Sequence, residues 1–158
     1  MPNSKLQSAR NKEGKVCAIP LESGHYAFCR ALAFPLVEFY DVLSEKILNI
    51  EQLKNRPILF RVWVMKYALT ERRWKTIGRL PLNESDKITP WFCKQDPDGS
   101  IYLTQDGAEE KPASLEDCAT LEYAAVWDPE HVEDRLRDHF SGKSNKWVES
   151  LRPKDLTQ

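Results

Sequence analysis

Apolar residues in this chain recur mainly at every second position, in short runs separated by turn-forming residues, a pattern that predicts antiparallel strands joined by hairpins. Lys15 to Leu21 and His25 to Ala33 form two such runs around Glu22-Ser23-Gly24, whose glycine suits the left-handed position of a bulged hairpin. Pairing Leu21 with His25 sets Cys17 opposite Cys29. Leu36 to Val42 predicts a third strand, and Asn49 with Gln52 predicts a capping box for a short helix near 50 to 55 that Arg56-Pro57 ends. Ile58 to Leu69 is the strongest strand signal. Ile58, Phe60, Val62 and Val64 fall on one face and Leu59, Trp63, Met65, Tyr67 and Leu69 on the other, which implies either a covered central strand or a curved sheet with an interaction surface.

After the polar Thr70 to Arg73, Trp74 to Leu80 reads as the returning strand of a second hairpin. A third hairpin turns at Asp96-Pro97-Asp98-Gly99 between Trp91 to Gln95 and Ser100 to Thr104. Ser114 with Asp117 opens another short helix near 115 to 120, and Glu122 to Trp127 reads as a last strand.

The period then changes from two to about four. Asp128 can cap a long helix, Pro129 fits its first position, Glu130 favours its dipole, and Gly142 can close it after Phe140. Val132, Leu136 and Phe140 form the stripe expected to be buried, leaving Glu130, Glu133, Asp134, Arg137 and Asp138 toward solvent. Such a face is either solvated surface or a docking face for a basic partner. Trp127 and Trp147 read as packing anchors. The expected architecture is α+β: a single domain with a strongly bent antiparallel sheet or partial β-barrel and the C-terminal helix packed on it.

A length of 158 residues suits one domain, with residues 1–14 as a mobile polar leader, 15–151 as the domain and 152–158 as a tail. A net charge of -1 argues against general affinity for nucleic acid or anionic membrane. No apolar run serves as a signal-peptide core or spans a bilayer, so the expected location is the cytoplasm. Cys17, Cys29, Cys93 and Cys118 contain no CxxC pair and are expected as four reduced thiols.

The segment from Arg61 to Arg79 concentrates Arg61, Lys66, Arg72, Arg73, Lys75 and Arg79 among Trp63, Tyr67 and Trp74, yet no nucleic-acid-binding motif accompanies them. Those aromatics also fit core positions. His25, His131 and His139 are scattered, and the last two stand about 80° apart around the helix, a poor metal-binding arrangement. Nucleophile elbows, phosphate-binding loops and dinucleotide fingerprints are all missing, so no catalytic residue, metal or cofactor is assigned.

The blocks VCAIPLESGHYAFCRAL at 16 to 32, PILFRVWVMKYAL at 57 to 69, PWFCKQDP at 90 to 97 and AAVWDPEHVEDRLRDHF at 124 to 140 resemble the immunity protein 26 family. The resemblance spans residues 14 to 151. It implies a bacterial immunity protein of a polymorphic toxin system, binding and neutralising a cognate toxin. The same family label covers a small phosphotriesterase, HocA, so the alternative is a phosphotriester hydrolase, which would need activated water at one or two metals. Charge places the expected toxin contact on Glu130, His131, Glu133, Asp134 and Asp138, facing a cationic toxin such as a basic nuclease.

Overall fold

The computed structural model describes residues 12–69, 73–105 and 110–155. Most of the expected leader, residues 70–72 of the polar segment, residues 106–109 and the end of the tail lie outside the described residues. The first hairpin forms as the turn chemistry requires: β1 (Lys15–Pro20) pairs antiparallel with β2 (Tyr26–Ala31), and Cys17 stands opposite Cys29. Both cysteines are buried free thiols. Just before β1, Gly14 adopts a left-handed φ of +83°, and an added Cβ would meet the Leu80 carbonyl oxygen at 2.7 Å. Its N–H donates to Ala31 and its carbonyl accepts from Leu80, so a glycine is needed where three segments converge.

β3 (Leu36–Tyr40) extends the sheet from β2. The short helix α1 (Ile50–Leu53) follows, with the expected reciprocal capping box between Asn49 and Gln52. β4 (Ile58–Val64) pairs with β3, and β5 (Lys75–Arg79) follows the turn that begins at Lys66. Later come β6 (Phe92–Gln95), β7 (Ile101–Thr104), β8 (Glu110–Pro112), β9 (Glu122–Tyr123) and β10 (Val126–Trp127). The larger sheet runs β10-β4-β3-β2-β1-β5 and the smaller one β8-β7-β6-β9. The fold is α+β, and its expected single bent sheet is two mixed sheets without a closed barrel.

Five expectations are corrected. The strand expected through Leu69 stops at Val64, because the Met65 N–H is donated to Trp127 and Lys66–Leu69 coil into a 3-10 turn. Its return strand makes no hairpin with it: both edges of β4 are occupied, by β3 and β10, so β5 pairs with β1 at the far side of the sheet. The strand expected from Glu122 to Trp127 divides between the two sheets, β9 joining β6 and β10 joining β4. Cys93 and Cys118 are joined in a disulfide, so only Cys17 and Cys29 match the expectation of reduced thiols. The helix expected near 115 to 120 is a single 3-10 turn, Glu116–Cys118, opened by mutual Ser114 and Asp117 hydrogen bonds.

The long helix, here α2 (Pro129–Phe140), is bounded as expected. Asp128 accepts the Glu130 N–H at 2.8 Å, and the chain leaves through a left-handed Gly142 whose N–H bonds His139 while Lys143 bonds Asp138. A final helix, α3 (Lys146–Leu151), is capped by Asn145. Val132 and Leu136 are fully buried against Ile19, Cys29, Phe60, Val62 and Trp74, whereas Phe140 is only partly buried at the rim. Each buried aliphatic side chain stabilises by about 1.5–3 kcal/mol. Trp127 belongs to this core, which covers one face of the larger sheet.

The opposite face is divided. One apolar cluster joins Val16, Phe28, Tyr40 and Leu53 beneath α1, and another joins Leu32, Leu36 and Phe92 near the smaller sheet. Between them runs a charged row, Arg30, Glu38 and Arg61, on adjacent strands.

Candidate functional site

The cap and stripe that create α2 also decide which of its carboxylates remain available. Glu133, one turn from Glu130, is expected toward solvent but its side chain is only 15% exposed. It accepts from Arg73 Nε at 2.9 Å, Arg73 Nη2 at 3.0 Å and Trp74 Nε1 at 2.9 Å. The physical reason is the buried Trp74 indole, whose N–H needs an acceptor inside the protein. Asp134 accepts from Trp147 Nε1 at 2.9 Å and from Arg137, and Asp138 accepts from Asn145 at 2.8 Å. These carboxylates fasten α3 to α2. His131 stacks on Trp147 with ring centroids 3.5 Å apart.

Glu130 differs, with its side chain 71% exposed and only a 3.7 Å ion pair to Arg73. Beside it, the exposed Tyr67 donates its hydroxyl to Asp128 at 2.7 Å. Met65 and Val126 are also exposed, and Met65 is tied to the segment before α2 through the Trp127 carbonyl. Val126 leads into an apolar cleft of about 330 Å³ formed with Phe34, Trp63 and Ile88. The resulting surface combines an exposed carboxylate, an aromatic with a polar tip, a methionine and a neighbouring apolar cleft. Such a combination suits a protein contact, in which large side chains supply buried area and charge orients the approach. The apolar component was partly legible, since Met65 and Tyr67 extend one face of the predicted strand. Val126 and Phe34 carried no comparable signal, because their meeting depends on the parallel pairing of β10 with β4.

The Tyr67 hydroxyl, with the Glu130 N–H, holds the Asp128 carboxyl below its ordinary range. Burial pushes Asp134 up, but hydrogen bonds from Trp147 and Arg137 outweigh it and the net shift is downward. Both folded values are depressed, so their stabilisation is complete above the unfolded value near about 3.9 and is lost as pH falls through the folded values. Acid unfolding followed by circular dichroism should therefore be less steep below about pH 4 in Asp134→Asn than in the parent protein. An unchanged pH slope would show that Asp134 is not linked to folding.

The candidate metal ligands are held by different partners: His25 lies 3.7 Å from Glu45, His131 stacks on Trp147, and His139 meets Asp41 at 3.2 Å. Among the described residues, no group of three or more His, Cys, Asp or Glu side chains is arranged to hold a metal. The hydrolase alternative therefore gains no support. The basic segment is partly consumed in packing, with Trp74 fully buried and Trp63 set against Phe92 at 4.3 Å. No described helix is long and apolar enough to cross a membrane.

The family model described as Immunity protein 26 matches residues 12–102, more than half of the chain. This match contains the first six strands and ends before α2. No curated protein and no solved structure matches the chain.

Proposed function

The chain belongs to the immunity protein 26 family, and from that premise we propose that it binds a cognate bacterial toxin and neutralises it by covering the toxin's working surface. Family membership carries this reading. The proposed contact centres on the N-terminal end of α2, where Glu130 stands exposed beside Tyr67 and Met65. Glu133, Asp134 and Asp138 add negative potential while remaining engaged in their internal bonds, and His131 supplies the edge of a stacked ring. The matching partner has a cationic surface, as a nuclease does, so that opposite charge speeds encounter and apolar contact slows release.

Co-expression with the toxin encoded beside this gene tests the proposal directly. Protection of the cells and co-purification of a complex are expected, whereas continued killing together with no complex would remove the immunity reading. Glu130→Lys should preserve the thermal midpoint and slow association by roughly tenfold at low salt, with the difference shrinking as salt rises. An association rate unchanged by that charge reversal would move the contact away from α2.

A further inference from the structure

The row of charge on the second face of the larger sheet forms the floor of a cavity that the toxin contact does not use. Arg30, Glu38 and Arg61 stand directly opposite one another on β2, β3 and β4. Glu38 is 1% exposed and receives two short hydrogen bonds from Arg30, at 3.0 and 3.2 Å. Arg30 also meets Asp86 at 3.0 Å, and its Nη1 lies 3.5 Å from the Leu80 and Pro81 carbonyls. That guanidinium is fully engaged. Burial opposes its charge, but Glu38, Tyr40 and Asp86 outweigh the penalty and raise its pKa.

Arg61 is placed differently. Its two bonds to Glu38 are long, both 3.4 Å, its side chain is 41% exposed, and Nη1 has no partner among the described residues. Lys54 and Arg56 leave α1 beside it and line the same cavity of about 260 Å³. Lys54 forms no ion pair among the described residues. Counted over the lining, four cations, Arg30, Lys54, Arg56 and Arg61, face two carboxylates, Glu38 and Asp86. A structural ion pair would be complete with Arg30 and Glu38 alone. The added cations leave a positive surplus of two charges inside a recess, which matches a phosphate monoester carrying about -1.5 to -2 at neutral pH with three acceptor oxygens.

We propose that this cavity binds the phosphate of a small soluble phosphomonoester, with Arg61 and Lys54 as direct ligands and Glu38 holding the arginine fork toward it. The recess suits a free small molecule because the end of α1 and the segment 80–86 stand on either side of the charged floor and leave it open to solvent. Arg61 contributes a planar donor edge and Lys54 a mobile point charge.

Calorimetric titration of the full chain with ribose 5-phosphate, inorganic phosphate and dimethyl phosphate at constant ionic strength tests this site. One-site saturable binding of ribose 5-phosphate is expected, tighter than that of the other two. Lys54→Ala should weaken it roughly tenfold and Arg61→Ala about ten- to a hundredfold, as loss of charge-assisted hydrogen bonds requires. Glu130→Lys should leave it unchanged. Because Arg61 also touches Glu38, the exposed Lys54 provides the variant whose folding is not at stake. No saturable binding, equal affinity in the Lys54→Ala variant, or dimethyl phosphate binding as tightly as the monoester would overturn the site. Tighter binding of inorganic phosphate than of the ester would overturn the ester assignment.

Discussion

Glu38→Ala should lower the unfolding free energy by about 3–5 kcal/mol, the range expected when one partner of a buried ion pair is removed. The cost comes from what is left behind. Arg30 would retain Asp86 but lose both short bonds to Glu38, and Arg61 would face it across an emptied space with no intervening anion. The carboxylate itself is only 1% exposed between the cluster of Val16, Phe28 and Tyr40 and that of Leu32, Leu36 and Phe92, so its loss is felt chiefly by the buried Arg30. Burial also pushes the Tyr40 hydroxyl on this face up to about 12. Urea unfolding monitored by tryptophan fluorescence measures the effect, and Glu38→Gln should recover part of it by keeping volume and an acceptor. A loss below about 1 kcal/mol would show that solvent already screens the row.

Glu133→Lys should destabilise by about 3–4 kcal/mol, since hydrogen bonds to a charged group contribute about 1.5–3 kcal/mol each and are not additive. The substitution leaves the buried Trp74 indole without its acceptor and sets a new cation beside Arg73. Glu130→Lys, three residues earlier on the same helix, touches neither Trp74 nor the core and should leave stability nearly unchanged. The pair separates similar carboxylates: one anchors the helix to the segment before β5, the other stands exposed at the proposed contact. Thermal unfolding of both variants, read before any binding assay, checks the division. Equal midpoints would mean that Glu133 is as free as Glu130.

The capped ends of α2, the first hairpin with Cys17 opposite Cys29, the turn at Asp96-Pro97-Asp98-Gly99 and the Asn49 capping box were all legible, because neighbouring residues carry their physics. Glu133 was misplaced because helical periodicity assigns a face but says nothing about an indole arriving from elsewhere in the chain. Arg30 and Glu38 stand as charges inside apolar runs at alternating positions, which is the sequence mark of a buried pair. The Cys93–Cys118 disulfide had no spacing signature, since only the docking of a 3-10 turn against β6 brings the two sulfurs together.

From sequence alone came the local elements, their caps, the α+β class and the resemblance later shown as family membership, all consequences of short-range conformational preference and hydrophobic period. Tertiary structure decided the partners. It paired β5 with β1 instead of β4, divided the last strand between two sheets, drew Glu133 onto Trp74 and aligned Arg30, Glu38 and Arg61 across three strands. The reason is that strand pairing and buried polar bonds join residues far apart in the chain. Which pairings form depends on which edges and acceptors the rest of the fold has already taken.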